Sequence, residues 1–167
     1  FNYDGQRNTA GNPVFFPIAI PTDADSQRAA ASLQRFLVPY TTKLDNNIYT
    51  GRIDWNIDDT QQFNIRYNAH RFTGQNFENS GSQSAAEHTG DTKVTGDNLA
   101  VAYNKTFGGA TVFDSRLIYL RDDIPGEANS TAPEAIIRQG GAQMIAIGRN
   151  NFSPRFTNSK TVSYTHL

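Results

Sequence analysis

Cysteine is absent, which excludes disulfides and thiolate metal sites. No apolar run approaches the roughly 20 residues that a membrane-spanning helix requires. Neither sign of charge dominates: 15 Lys and Arg against 16 Asp and Glu leave a net charge of −1. No basic stripe is therefore available to displace counterions, so nucleic acid is not an expected partner. The three histidines, His70, His88 and His166, have no HExxH spacing. Three acidic groups, Asp58–Asp59, Asp122–Asp123 with Glu127, and Glu87 with Asp91, lack the ligand spacing and central Gly of a calcium loop. They read as turn and loop solvation, and Glu87–His88 reads as a solvated pair in a flexible loop. No GxSxG elbow or nucleophile–base pair can be assembled. The expectation is a protein that is not an enzyme, with no catalytic residue, no metal ligand and no cofactor.

What the chain does have is alternation. In "GRIDWNIDDTQQFNIRYNAHRF" apolar residues fall at every second position: Ile53, Trp55 and Ile57, then Phe63, Ile65 and Tyr67. Between them sit Arg52, Asp54, Asn64, Arg66, Asn68 and His70. That period of two predicts strands with one apolar and one polar face. "DDTQ" supplies the turn, because Asp and Thr side chains bond nearby backbone amides. Placing Asp58 opposite Gln62 would set Trp55 against Ile65 and Asp54 against Arg66. "DNLAVAYNKTF" continues the pattern with Leu99, Val101, Tyr103 and Phe107. "GGA" then turns the chain into "TVFDSRLIYLR", whose apolar side carries Phe113, Leu117 and Tyr119, with Asp114 and Arg116 opposite.

Strands are expected over about residues 1–8, 47–58, 62–73, 97–107, 111–121 and 158–165. Long loops fill 9–46, 74–96 and 122–157. Two short helices are expected in the loops: "TDADSQRAAASLQRFL", and "TAPEAIIRQGG" with Thr131 as cap and Gly140 as stop. Connections thus alternate long and short, gathering the tight turns at one end of the meander and the long segments at the other. Outer-membrane barrels have this asymmetry. Aromatic residues flank an aliphatic band, with Trp55, Phe63, Phe107 and Phe113 near the tight turns and Tyr49 and Tyr119 towards the other end. Alternation alone fits a soluble sandwich equally well; the loop asymmetry and the aromatic girdles favour a membrane barrel. The fold class expected is all-β, an antiparallel up-and-down meander forming an open segment of a transmembrane barrel.

Several phrases carry a family resemblance: "FNYDGQRN", "VPYT", "NNIYTGRIDWNI", "RFTGQNFENSGSQSAAEHTGD", "PGEANSTAPEAIIRQGG" and "IGRNNFSPRFT". They resemble, in family order, the barrel of Oar-like TonB-dependent outer-membrane receptors. The loop phrases are the specific ones, since nothing about a strand demands "GQNFENSGSQSAAEHTG". The resemblance implies a roughly 22-stranded barrel. It also implies a plug, energy supplied through TonB, and import of a scarce or bulky solute across a Gram-negative outer membrane. Beginning at Phe1 without plug or TonB-contacting segment, the chain reads as an internal slice of such a receptor.

On this reading Tyr49, Ile53, Trp55, Ile57, Phe63, Ile65, Tyr67, Leu99, Val101, Tyr103, Phe107, Phe113, Leu117 and Tyr119 face lipid. Arg52, Asp54, Asn64, Arg66, Asn68, His70, Asp114 and Arg116 face the lumen, as plug contacts or as a structural charge ladder. Gln75, Asn76, Phe77, Phe152 and Arg155 are candidate solute contacts, because loops carry recognition disproportionately. Expected partners are outer-membrane lipid, the plug and remaining strands, the TonB complex through that plug, and an unidentified solute. The alternatives are an outer-membrane structural or adhesion barrel without energy coupling, and a soluble carbohydrate-binding β-sandwich.

Overall fold

The computed structural model describes residues 1–109 and 111–166. One antiparallel sheet dominates: β1 (Asn2–Asn12), β2 (Tyr40–Asp58), β3 (Gln61–Glu78), β4 (Gly90–Phe107), β5 (Thr111–Ala128) and β8 (Arg155–His166). These strands lie in the order β1-β2-β3-β4-β5-β8, each paired with its neighbour in sequence apart from a hairpin inserted before β8. That hairpin, β6 (Ala135–Gln139) with β7 (Ala142–Ile147), forms a separate two-stranded sheet. Among the described residues a single α-helix, α1 (Ala24–Leu33), follows Asp23, whose carboxylate accepts from the Ser26 N–H at 2.8 Å.

Pairing fixes the faces, because residues directly opposite in a ladder share a side. One continuous row runs Ile53, Ile65, Val101, Leu117 and Tyr164; another runs Tyr67, Leu99, Tyr119 and Val162. Trp55, Phe63 and Tyr103 form the row next to the tight turns, and Tyr3 stacks near Tyr49 towards the other end, ring centroids 5.0 Å apart. All belong to one apolar face, which no other layer covers: Ile53 is 64% and Trp55 59% exposed. A soluble sandwich would lay a second sheet here. The only other sheet among the described residues is β6–β7, and it packs among the loops rather than over this face.

The β2–β3 register differs from the expected one by two residues. Trp55 faces Phe63, Ile53 faces Ile65, and Arg52 stands opposite Arg66. The turn is tighter than expected: Asp58 accepts from the Thr60 N–H at 2.8 Å and the Thr60 hydroxyl at 2.7 Å, and also from the Gln61 amide. Ile57 is the extra residue of a bulge between the Asn56 and Asp58 pairs. A shift of two preserves every side chain's face, so the apolar and polar sets stay intact. Ala110 of the expected GGA turn lies outside the described residues.

The second expected helix is absent. Residues 135–139 form β6, and Gly140 and Gly141, with φ of +54° and +86°, make the two-residue hairpin turn into β7. Both central residues at positive φ define a type I′ turn, for which Gly-Gly is suited. The β-branched Ile136 and Ile137 pair with Ala146 and Ile145, an arrangement that outweighs the helix signals at Thr131 and Pro133.

The strands also outrun their expected bounds at the long-loop end. β2 begins at Tyr40 rather than 47, β3 continues to Glu78, β4 starts at Gly90, and β5 reaches Ala128. The loops shorten to 13–39, 79–89 and 129–154. They pack into one cap with the molecule's hydrophobic core: Val14, Ala85 and Ile145 at its centre, and Phe16, Leu33, Phe36, Leu37, Tyr40, Ile137 and Ile147 around them.

Candidate functional site: the polar face and the loop cap

The lower polar face is a lattice of short side chains and intrastrand ion pairs. Arg52 grips Asp54 in a forked contact, with Nε 2.7 Å and Nη2 2.8 Å from the carboxylate. Arg116 repeats the motif on β5, its Nε 3.0 Å from Asp114. Both pairs are i, i+2 on one strand, the spacing at which side chains share a face. The ladder across strands expected from Asp54 and Arg66 is therefore replaced by pairing along each strand. Asn64 lies opposite Asp54, Asn68 accepts from the Thr50 hydroxyl at 3.0 Å, and the His70 ring contacts Asn46 Oδ1 at 2.7 Å. All eight of the sequence-selected polar residues share this face by register.

Beyond the tyrosine row the opposite face changes character. Arg7 bridges Asp45 at 2.9 Å, and Arg71 bridges Asp97 at 2.6 Å while donating to the Gly96 carbonyl at 2.7 Å. A groove of about 520 Å³ opens here, lined by Lys43, Gln75 and Lys93 among others. The apolar band thus ends well short of the strand ends.

The cap leans over the polar side. Asn12 and Tyr40, both on the polar-face register, bond Gly81 of the β3–β4 connection, Asn12 at 3.0 Å to its carbonyl. Arg155, opposite Gly126, reaches Glu78 at 2.5 Å and Thr92 Oγ1 at 3.0 Å; Ser153 also bonds the Glu78 carboxylate. Between loops, the Ala85 N–H donates to Ala146 at 2.9 Å and the Ala146 N–H donates to Gln83 at 2.8 Å. Asn150, fully buried, donates to the Thr89 carbonyl at 3.3 Å. Segments more than 50 residues apart are locked together by backbone bonds. Half-burial holds the Tyr40 phenol above its ordinary range, with the bond to Gly81 opposing.

Glu87 and His88 are not a solvated pair. His88 is only 5% exposed, its Nδ1 3.2 Å from the Gly148 carbonyl, and Glu87 accepts from the Gly148 N–H at 2.8 Å. Their neighbours come from a loop 60 residues downstream, which local sequence could not signal.

The five candidate solute contacts are not brought together. Asn76, at φ +52°, donates to the Thr41 carbonyl and accepts from Asn129, so its amide is spent on structure. Arg155 is engaged with Glu78. Phe77 packs edge-on against Phe72, and Gln75 lines the groove on the apolar-face register. Phe152 is 63% exposed and borders a cleft between the loops. Sequence reasoning did not select that cleft; its residues Ser84, Glu134 and Gln143 are scattered over two loops and β7.

Among the described residues no helix is long and apolar enough to cross a membrane, which leaves crossing by strands open. Comparisons with curated proteins and with solved structures gave no match. The family model of an outer membrane beta barrel domain matches residues 7–166, nearly the whole chain. An open antiparallel meander with an uncovered apolar face, aromatic rows at its edges and long connections at one end is what such a domain requires, and the chain belongs to the outer membrane beta barrel domain family.

Proposed function

We propose that this chain forms part of the wall and mouth of a TonB-dependent receptor that imports a solute across the outer membrane of a Gram-negative bacterium. The carrying observation is the difference between the two ends: two tight turns at one, and at the other a single packed cap built from all three long connections and leaning over the polar face. The apolar face lies against lipid, the tight turns face the periplasm, and the cap stands outside the cell. The polar face, including the Arg52–Asp54 and Arg116–Asp114 pairs, lines the lumen and bonds the plug. The resemblance of the loop phrases to Oar-like receptors supports energy coupling through TonB.

The test uses the complete gene product containing this wall. Reconstituted into planar bilayers, a plugged receptor gives no steady open-channel conductance, and in cells it cross-links to the TonB complex. A large resting conductance makes the barrel a passive pore. A sealed barrel with no TonB cross-link makes it a structural or adhesion barrel. Either result overturns the proposal.

A further inference from the structure

The cleft beside Phe152 measures about 370 Å³ and lies wholly within the cap. Three of its polar groups are set in a way the fold itself does not satisfy. The first is Ser84, 5% exposed, whose hydroxyl has no hydrogen-bond partner. Buried hydroxyls are nearly always bonded, so an unpartnered one on a cleft wall marks a position for an incoming group.

The second and third are His88 and Glu134. The Gly148 carbonyl can only accept, so the His88 Nδ1 at 3.2 Å carries the proton. In the neutral ring Nε2 is then a lone-pair acceptor. It points towards Glu134 Oε1 at 3.7 Å, beyond hydrogen-bond range. With the ring neutral, two acceptors lie near each other with no donor from the fold between them. The other nearby carboxylate, Glu87, is occupied by the Gly148 N–H. Among the described residues no Lys or Arg lines the cleft, and His88 pairs with Glu134 only when its ring is protonated.

We propose that this cleft is a binding site for a small molecule carrying a primary ammonium group. An ammonium brings three N–H donors and one positive charge. Those match the His88 Nε2, the Glu134 carboxylate and the Ser84 oxygen, with Gln143 as a further amide at the rim. Charge-assisted bonds to the carboxylate offset the desolvation of the ammonium. Phe152 and Ile136 supply apolar surface for the carbon chain of the ligand. An anion is disfavoured by Glu134, and a neutral alcohol offers only one donor for two acceptors. The site does not depend on energy coupling; it would serve a receptor, a pore or an adhesin alike.

The complete gene product containing this wall, folded in detergent micelles with its histidines labelled with ¹⁵N, is titrated at pH 7.5 with butylammonium, 1-butanol and butyrate. Saturable binding of butylammonium is expected, with a shift of the His88 Nε2 signal, about tenfold tighter than 1-butanol, and none for butyrate. Glu134→Gln weakens the amine about tenfold and removes its advantage over the alcohol. The His88 Nδ1–H signal of that variant, held by Gly148, reports that the cap is still folded. Ser84→Ala weakens binding by a smaller factor. Equal affinities for amine and alcohol, indifference to Glu134→Gln, or no saturable binding overturns the proposal. So does a free-state His88 ring protonated on both nitrogens, since its own proton would then fill the space. Tighter binding of a neutral hexose than of the amine would make the cleft a polyol site and overturn the ammonium assignment.

Discussion

In the wall, Ile53 and Trp55 leave well over half of their surface uncovered, whereas Ile145 in the cap is 0% exposed. The wall holds its shape through strand ladders and leaves both faces open. The cap draws on residues from three loops and encloses them around Val14, Ala85 and Ile145. The difference teaches where each part finds its hydrophobic stabilisation. Apolar burial inside a cap is internal and travels with the chain. An apolar sheet face needs a partner from outside, and in a membrane barrel that partner is lipid.

The largest effect that would break this contrast is a charge on the wall's apolar face. Ile65→Arg, in the row of Ile53 and Val101, should cost about 2–4 kcal/mol in lipid vesicles by urea unfolding. Asn64→Arg, one residue away on the polar face, should stay within about 0.5 kcal/mol. Equal costs would show that the apolar face does not meet lipid.

A comparable loss confined to the other region would sharpen the contrast. Ile145→Ala should destabilise the cap by about 2–5 kcal/mol. Hydrogen exchange should then quicken at the Ala85 and Ala146 amides, which bond between loops, and stay unchanged at Ile65 and Val101. Loosening of wall and cap together would mean they are one cooperative unit.

The joint between the regions comes next. Arg155→Met leaves Glu78, 10% exposed at its side chain, with Ser153 but no cation, at a cost of about 1–3 kcal/mol. Exchange at the ends of β3 and β8 reads it. The smallest effect is at α1. The Ser26 backbone N–H, the main cause, holds the Asp23 carboxyl below its ordinary range. A lowered folded-state value means the cap contributes stability above the ordinary carboxyl range and loses it as pH falls through that lowered value. The Ser26 amide should lose protection in that acid window, and Asp23→Asn should flatten the dependence.

Alternation at residues 51–72 and 97–121 made the wall legible, because a face that meets one environment repeats every second residue. It faded where strands passed beyond the apolar band: "TTKLDN" in β2 and "DTKVTG" in β4 each carry one apolar residue, so no periodicity marked them as strand. The register slipped by two because the Asp58 turn and the Ile57 bulge shortened the hairpin loop. Gly140–Gly141 was legible as a stop, but a stop serves a helix or a type I′ hairpin, and Ile136–Ile137 opposite Ile145 decided for the hairpin. Least legible was the cleft. Ser84 and His88 meet Glu134 only once loops about 50 residues apart have docked, and no local spacing records that event.

From Tyr49 to Tyr40, β2 continues for nine residues past the aromatic row, about 30 Å along the strand. On the proposed orientation that length lifts the cap clear of the lipid headgroups. Whatever approaches the cell from outside, whether antibody, phage or neighbouring cell, touches residues of the three loops before it touches the bilayer. The chain's outward identity can therefore drift by substitution in 13–39, 79–89 and 129–154 while every ladder of the wall keeps its register.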